Sequence, residues 1–179
     1  MSNKKPSFFE GFNEPFDMVN KLRICFYGLA SFSVPFALMW YVQNKSEMID
    51  LDPVIEPLGS IVISILTAII SIVAIVVYRI YNNKLKEIRK EPSLPYRLTL
   101  LLKAQCIKFI PLAISPIVVV ILYRLTLEPI LFGVYIVSMI LFAMSNPSIH
   151  NVISDLRLKK GDKEVMLNNI PFDQTDMKL

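Results

Sequence analysis

The chain has 179 residues, of which 54% are hydrophobic, with a mean hydropathy of +0.50 and a formal net charge of +4. The apolar residues are gathered into four long stretches centred near Ser31, Thr67, Ala113 and Ser138, more than a water-soluble domain of this length can bury. Five glycines leave little raw material for a phosphate-cradling loop, and two cysteines argue against a disulfide framework.

The first 20 residues form a tail in which Phe8, Phe9, Phe12 and Phe16 interrupt an otherwise polar segment, a composition suited to the headgroup zone of a bilayer. The first apolar stretch, Ile24 to Val42, is too long for a signal-peptide core and ends in Trp40-Tyr41 rather than at a small-residue cleavage site, so it is expected to be retained. A hydrocarbon layer of about 30 Å is crossed by about 20 helical residues. This stretch supplies that length, as do Leu58 to Tyr78 and Ala104 to Tyr123.

Tyr78 to Arg89 contains no glycine or proline, which predicts that the second helix continues past the membrane. Ser93 suits a helix cap and Pro95 a first turn, so the third helix is expected to begin well before its apolar stretch. The two extensions, joined near Glu91-Pro92, predict an antiparallel stalk. The fourth stretch, Pro129 to Met144, is short, and spans if Leu125, Leu127 and Ser145 lie at the interfaces or the bilayer thins. After Asn146-Pro147-Ser148, residues Ile149, Val152, Ile153 and Leu156 follow helical spacing, which predicts a short amphipathic helix on the inner surface. Gly161-Asp162 is expected to end it and to cap a second turn carrying Val165 and Leu167, with a loose end from about Pro171.

Basic residues flank the spans almost entirely on one side, the other side offering Lys45 and, in the third loop, Arg124 facing Glu128. Lys4, Lys5, Lys21 and Arg23 precede the first; Arg79, Lys84, Lys86, Arg89, Lys90 and Arg97 separate the second and third; Arg157, Lys159, Lys160 and Lys163 follow the fourth. The loop from Asn44 to Glu56 carries one lysine against Glu47, Asp50, Asp52 and Glu56. Positive loops stay in the cytoplasm, so both termini are expected there. The expected fold is an all-α membrane protein whose four transmembrane helices form two hairpins. It divides into a tail (1–20), a transmembrane domain (21–145) and a C-terminal amphipathic helix and tail (146–179). Cys25 and Cys106, like Pro35 and Pro116, are 81 residues apart, which is compatible with a parallel repeat of one hairpin, although Pro57 and Pro129 are only 72 apart.

Two hairpins with a basic link, a proline in the third span and a closing Asn146-Pro147-Ser148 segment followed by Val152-Ile153, Asp155-Leu156, Leu158 and Glu164 resemble small four-helix integral membrane proteins of bacteria. The resemblance implies a location and a fold, and brings no activity with it.

Ser60, Ser64, Thr67 and Ser71, continued by Ala74, recur at three or four residues and form one narrow face of small or hydroxylated side chains on the second span. Such a face permits close helix contact in lipid. Lys108 lies inside the third apolar stretch, about 22 Å along the helix from Tyr123 at 1.5 Å per residue. Its stem can reach the inner headgroups, and the other reading is a place on an ion or substrate path. Pro35 and Pro116 leave carbonyls without amide partners, with Ser33 and Ser115 near enough to compensate, and can kink helices around such a path. The two cysteines read as small buried residues, and the single histidine, His150, has no ligand cluster around it.

No metal, cofactor or catalytic set is expected, and nucleic acid is excluded as a partner because the basic residues border spans and lack interleaved aromatics. The sequence therefore predicts a non-enzymatic integral protein of a bacterial cytoplasmic membrane. Its expected partners are the lipid bilayer and another membrane protein or a second copy, as an accessory or assembly subunit. The alternative is an oligomeric small channel or transporter using Lys108, Pro35 and Pro116.

Overall fold

The computed structural model describes residues 12–46 and 52–175, and these are helical with no strand among them. The helices are α1 (Pro15–Lys45), α2 (Ser60–Ile88), α3 (Leu94–Thr126), α4 (Pro129–Ala143), α5 (Ile149–Leu156), α6 (Lys160–Leu167) and α7 (Phe172–Thr175). Three of them, α1, α2 and α3, are long and apolar enough to cross a membrane, as in a multi-pass membrane protein. The helix α4 is apolar but has 15 residues. The expectations for Phe8, Phe9, Glu47 and Asp50 lie outside the described residues.

Each of the three long helices outruns its apolar stretch. Nothing between Tyr78 and Ile88 breaks α2, and α3 starts at Leu94 with Pro95 in its first turn and the Arg97 amide bonded to the Ser93 carbonyl at 3.0 Å. Between α3 and α4 the chain turns on Leu127, whose φ of 55° is left-handed, and Pro129 opens α4 where a missing amide hydrogen costs nothing.

The residues fall into two compact units that are not contiguous in sequence. The first comprises the described residues 12–26 together with Arg79–Ile107 and 146–175; the second comprises Tyr27–Tyr78 and Lys108–Ser145. In the first unit the ends of the long helices and the C-terminal segment bury their apolar residues together.

In the first unit the core is Met18, Val19, Leu22 and Phe26 of α1, Tyr81, Leu85 and Ile88 of α2, Leu94, Leu98, Leu101 and Leu102 of α3, Val152 and Leu156 of α5, and Val165 and Met166 of α6. The amphipathic pattern of α5 is as expected, and part of its apolar face is covered by the protein itself: Val152 and Leu156 are 0% and 2% exposed. Ser148 caps α5 by accepting from the Asn151 amide, and Arg157 ends it with φ 49°. The break expected at Gly161 therefore comes earlier, and Gly161 and Asp162 lie in the first turn of α6. From there Asp162 accepts an ion pair from Arg97 at 2.6 Å. The segment expected to be loose from Pro171 contains the turn α7, where the Phe172 amide bonds to the Asn13 carbonyl and its ring meets Phe12 edge-on.

A buried polar cluster joins α2, α3 and α5. The Tyr81 hydroxyl donates to Asp155 at 2.6 Å, Gln105 Nε2 donates to the Tyr81 oxygen at 3.0 Å, and Arg89 Nε donates to the Asp155 carbonyl at 2.7 Å. Both Tyr81 and Gln105 are buried, so losing a partner there carries a desolvation cost rather than an exchange with water. Asp155→Ala is expected to destabilise this unit by about 1–3 kcal/mol, while Asp155→Asn, which keeps an acceptor oxygen, retains most of the stability. Thermal unfolding of the two variants in detergent measures the difference.

The second unit is built on Ala37 of α1, Ile63 of α2, Val119, Val120 and Tyr123 of α3, and Leu131 and Tyr135 of α4, with Trp40, Tyr41 and Phe132 packed against them. Tyr41 stacks on Phe132 at 4.3 Å between centroids. The end of α1 is tied to α3 by Asn44 Nδ2, which donates to the Tyr123 hydroxyl at 3.0 Å. The amides of Val54 and Ile55 donate to the Leu125 carbonyl and clip the α1–α2 connection to the end of α3.

Candidate helix-docking groove

Within the second unit, α2 and α4 leave an open groove of about 410 Å³ between them. Its walls are Thr67, Ile70 and Ser71 from α2, and Ile130, Gly133, Val134, Val137, Ser138 and Leu141 from α4. Small residues leave this space open. Gly133 contributes no side chain, and a β-carbon built on it meets nothing within 4 Å. Ser138, on the groove wall, is buried and turns its hydroxyl back to the Tyr135 carbonyl at 2.8 Å.

The small-residue face read from the sequence is divided between this groove and the open side of α2. Thr67 is half-buried and lines the groove with Ser71, whereas Ser60, Ser64 and Ser71 are themselves exposed and Ala74 is buried. Each hydroxyl is satisfied on its own helix: Ser64 donates to the Ser60 carbonyl, Thr67 to Ile63 and Ser71 to Thr67, at 2.8–2.9 Å. These back-bonds hold no neighbour but remove the cost of placing hydroxyls in hydrocarbon, leaving a slim helix face that another backbone can approach.

Most of α2 is bare. Only 11% of the positions in its most apolar stretch are buried, against 44% in α3. Ile61, Ile65, Ile69, Ile72 and Ile75 are all more than half exposed. A helix this apolar and this uncovered must have lipid or another helix around it.

Lys108, Pro35 and Pro116 do not line this groove. Lys108 is 7% exposed, with its ammonium 5.5 Å from the ring centroids of both Tyr78 and Phe109. Two aromatic faces thus lie beside the ammonium, and their negative π-clouds attract the charge. The Tyr78 hydroxyl is in turn hydrogen-bonded to Ser145 at 2.7 Å.

Pro35 is exposed on α1 and Pro116 is buried on α3. The serines beside them do not do the compensating work expected. Ser33 faces the Met139 sulfur at 3.6 Å, and Ser115 bonds to the carbonyl of a further proline, Pro111.

A second apolar groove, of about 210 Å³, lies between α1 and α3 and is lined by Phe32, Phe36, Trp40 and Ile117 among others. No group of three or more metal-ligating side chains occurs among the described residues. The contribution of Gly133 could not be read from the sequence, because its importance comes from standing opposite Thr67 and Ser71 on another helix. Its spacing within α4 carries no signal of that.

Three helices long and apolar enough to cross a membrane are consistent with a multi-pass membrane protein, and an apolar groove lies between α2 and α4. No family model, no curated protein and no solved structure matches the chain.

Proposed function

We propose that the chain is a non-enzymatic protein of a bacterial cytoplasmic membrane, an accessory or assembly subunit whose α2/α4 groove receives a transmembrane helix of another membrane protein. The observation that carries this reading is the bareness of α2 beside a groove floored by Thr67, Ser71 and Gly133. Small residues on two adjacent helices let a third backbone come close, and close contact is what drives association where lipid competes on equal terms with apolar side chains.

The topology that goes with it has α4 as a fourth span. At 15 residues it covers about 22 Å, and the flanking Leu125, Leu127 and Ser145 extend it toward the interfaces. The four spans form two hairpins with both termini inside, since the basic residues of the α2–α3 link and of the C-terminal segment belong on the cytoplasmic side. The cytoplasmic segments offer a second contact surface.

Orientation is checked with Asp52→Cys and Lys86→Cys, each in a background without the native cysteines. A membrane-impermeant maleimide is expected to label residue 52 in intact cells and residue 86 only after lysis. Labelling of both from one side refutes the topology. The docking role is tested by placing a photo-crosslinking side chain at Val137 in the groove. The expected adduct is a transmembrane peptide of another protein, in fixed stoichiometry with this chain after mild detergent extraction. A lone monomer with adducts to lipid only overturns the reading.

A further inference from the structure

The two cysteines of the chain, read from the sequence as separate buried residues, face each other. Cys25 lies on α1 and Cys106 on α3, within the first unit, and their sulfurs are 3.4 Å apart with the Cys106 thiol directed at Cys25. Both are free and half-buried. With only two cysteines in the chain, neither has another thiol of the same molecule to pair with.

We propose that Cys25 and Cys106 form an oxidisable dithiol that closes into an intrachain disulfide and ties α1 to α3. A disulfide holds its sulfurs about 2.05 Å apart, so closure from 3.4 Å asks for about 1.4 Å of travel shared between two side chains. Rotation about each Cα–Cβ bond moves a sulfur through distances of that order without displacing a helix axis. Burial of the neighbours Leu22, Phe26, Ala104 and Gln105 holds the two helix segments in place while the sulfurs turn.

The oxidant belongs to the class of small disulfides. The thiolate of one cysteine, its proton having left to solvent, attacks a sulfur of the oxidant, forming a mixed disulfide and expelling one thiolate. The thiolate of the second cysteine then attacks the first cysteine's sulfur and expels the other half of the oxidant. Two protein thiols are oxidised by two electrons, one small disulfide is reduced to two thiols, and the two protons end on those thiols. The product closes a loop of about 80 residues, which restricts the unfolded chain and raises the unfolding temperature.

The test uses the full chain in lipid nanodiscs, treated with the lipid-permeant disulfide 4,4′-dithiodipyridine. Two equivalents of thiopyridone per chain are expected, with an intact mass lower by two hydrogen atoms, no alkylation by maleimide after denaturation, a higher unfolding temperature, and full reversal by dithiothreitol. Cys25→Ser and Cys106→Ser, tested separately, are expected to release one equivalent and to keep one pyridyl adduct. Wild type that releases two equivalents but retains two adducts shows that the sulfurs cannot meet and overturns the proposal. So do disulfide-linked dimers in place of the intrachain product, and thiols that react only after denaturation.

Discussion

Leu98→Ala is expected to destabilise the first unit by about 2–5 kcal/mol, the range for deleting most of a fully buried leucine where the surroundings cannot collapse into the void. Leu98 is 0% exposed and sits on the part of α3 that lies before its apolar stretch, in a core that also contains Leu85, Leu94, Leu101, Val152 and Leu156. Small units have little core to spare, so one such loss is a large share of their stability. Amide hydrogen exchange is the informative measurement. Protection over α5 and α6 is expected to fall together, because Val152, Leu156, Val165 and Met166 are buried in the same unit. The corresponding change at Ile61, which is 75% exposed on α2, is expected to leave exchange in that unit unaltered. Equal protection in Leu98→Ala and wild type would show that the buried leucines do not form one cooperative core.

Gly133→Leu is expected to abolish or strongly weaken capture of the partner helix while leaving the chain itself folded. The separation follows from the surroundings of Gly133: a β-carbon there meets nothing within 4 Å, and leucine is a better helix former than glycine by somewhat under 1 kcal/mol. The added isobutyl group enters the space between α2 and α4 that a docked helix needs. Overpacking of this kind costs about 1–3 kcal/mol, a roughly five- to 150-fold loss of association. Loss of the Val137 crosslink together with an unchanged unfolding temperature is the expected pair of results. Ile136→Ala, half-exposed and outside the groove, serves as the control that keeps the crosslink. A crosslink of full yield in Gly133→Leu would take the groove out of the interface.

Much of the secondary structure was legible in advance. The continuation of α2 to Ile88, the start of α3 near Ser93, and the helix after Ser148 all followed from local rules about breakers, caps and spacing. What those rules missed lay where two distant segments share an environment. The spacing of Ile149, Val152, Ile153 and Leu156 marks an apolar face but does not name what covers it, and a membrane surface and a protein core satisfy it equally. In the structure Tyr81, Gln105 and Arg89 hydrogen-bond to Asp155 of α5, and Val152 and Leu156 are buried beside them in the same unit. Lys108 is a similar case. Its depth in the span could be counted, but the aromatic faces of Tyr78 and Phe109 that hold its charge belong to two helices.

The sequence by itself determined that the protein is helical and that at least three of its helices suit lipid, because length, hydropathy and breaker positions are properties of each segment alone. Only the tertiary structure decided that the helix ends and the C-terminal segment form one buried unit, that Cys25 meets Cys106, and that Gly133 faces Thr67 and Ser71 across a groove. Each of these is a relation between residues tens of positions apart. Side-chain periodicity records which face of a helix is apolar, and is silent on which other helix will meet it.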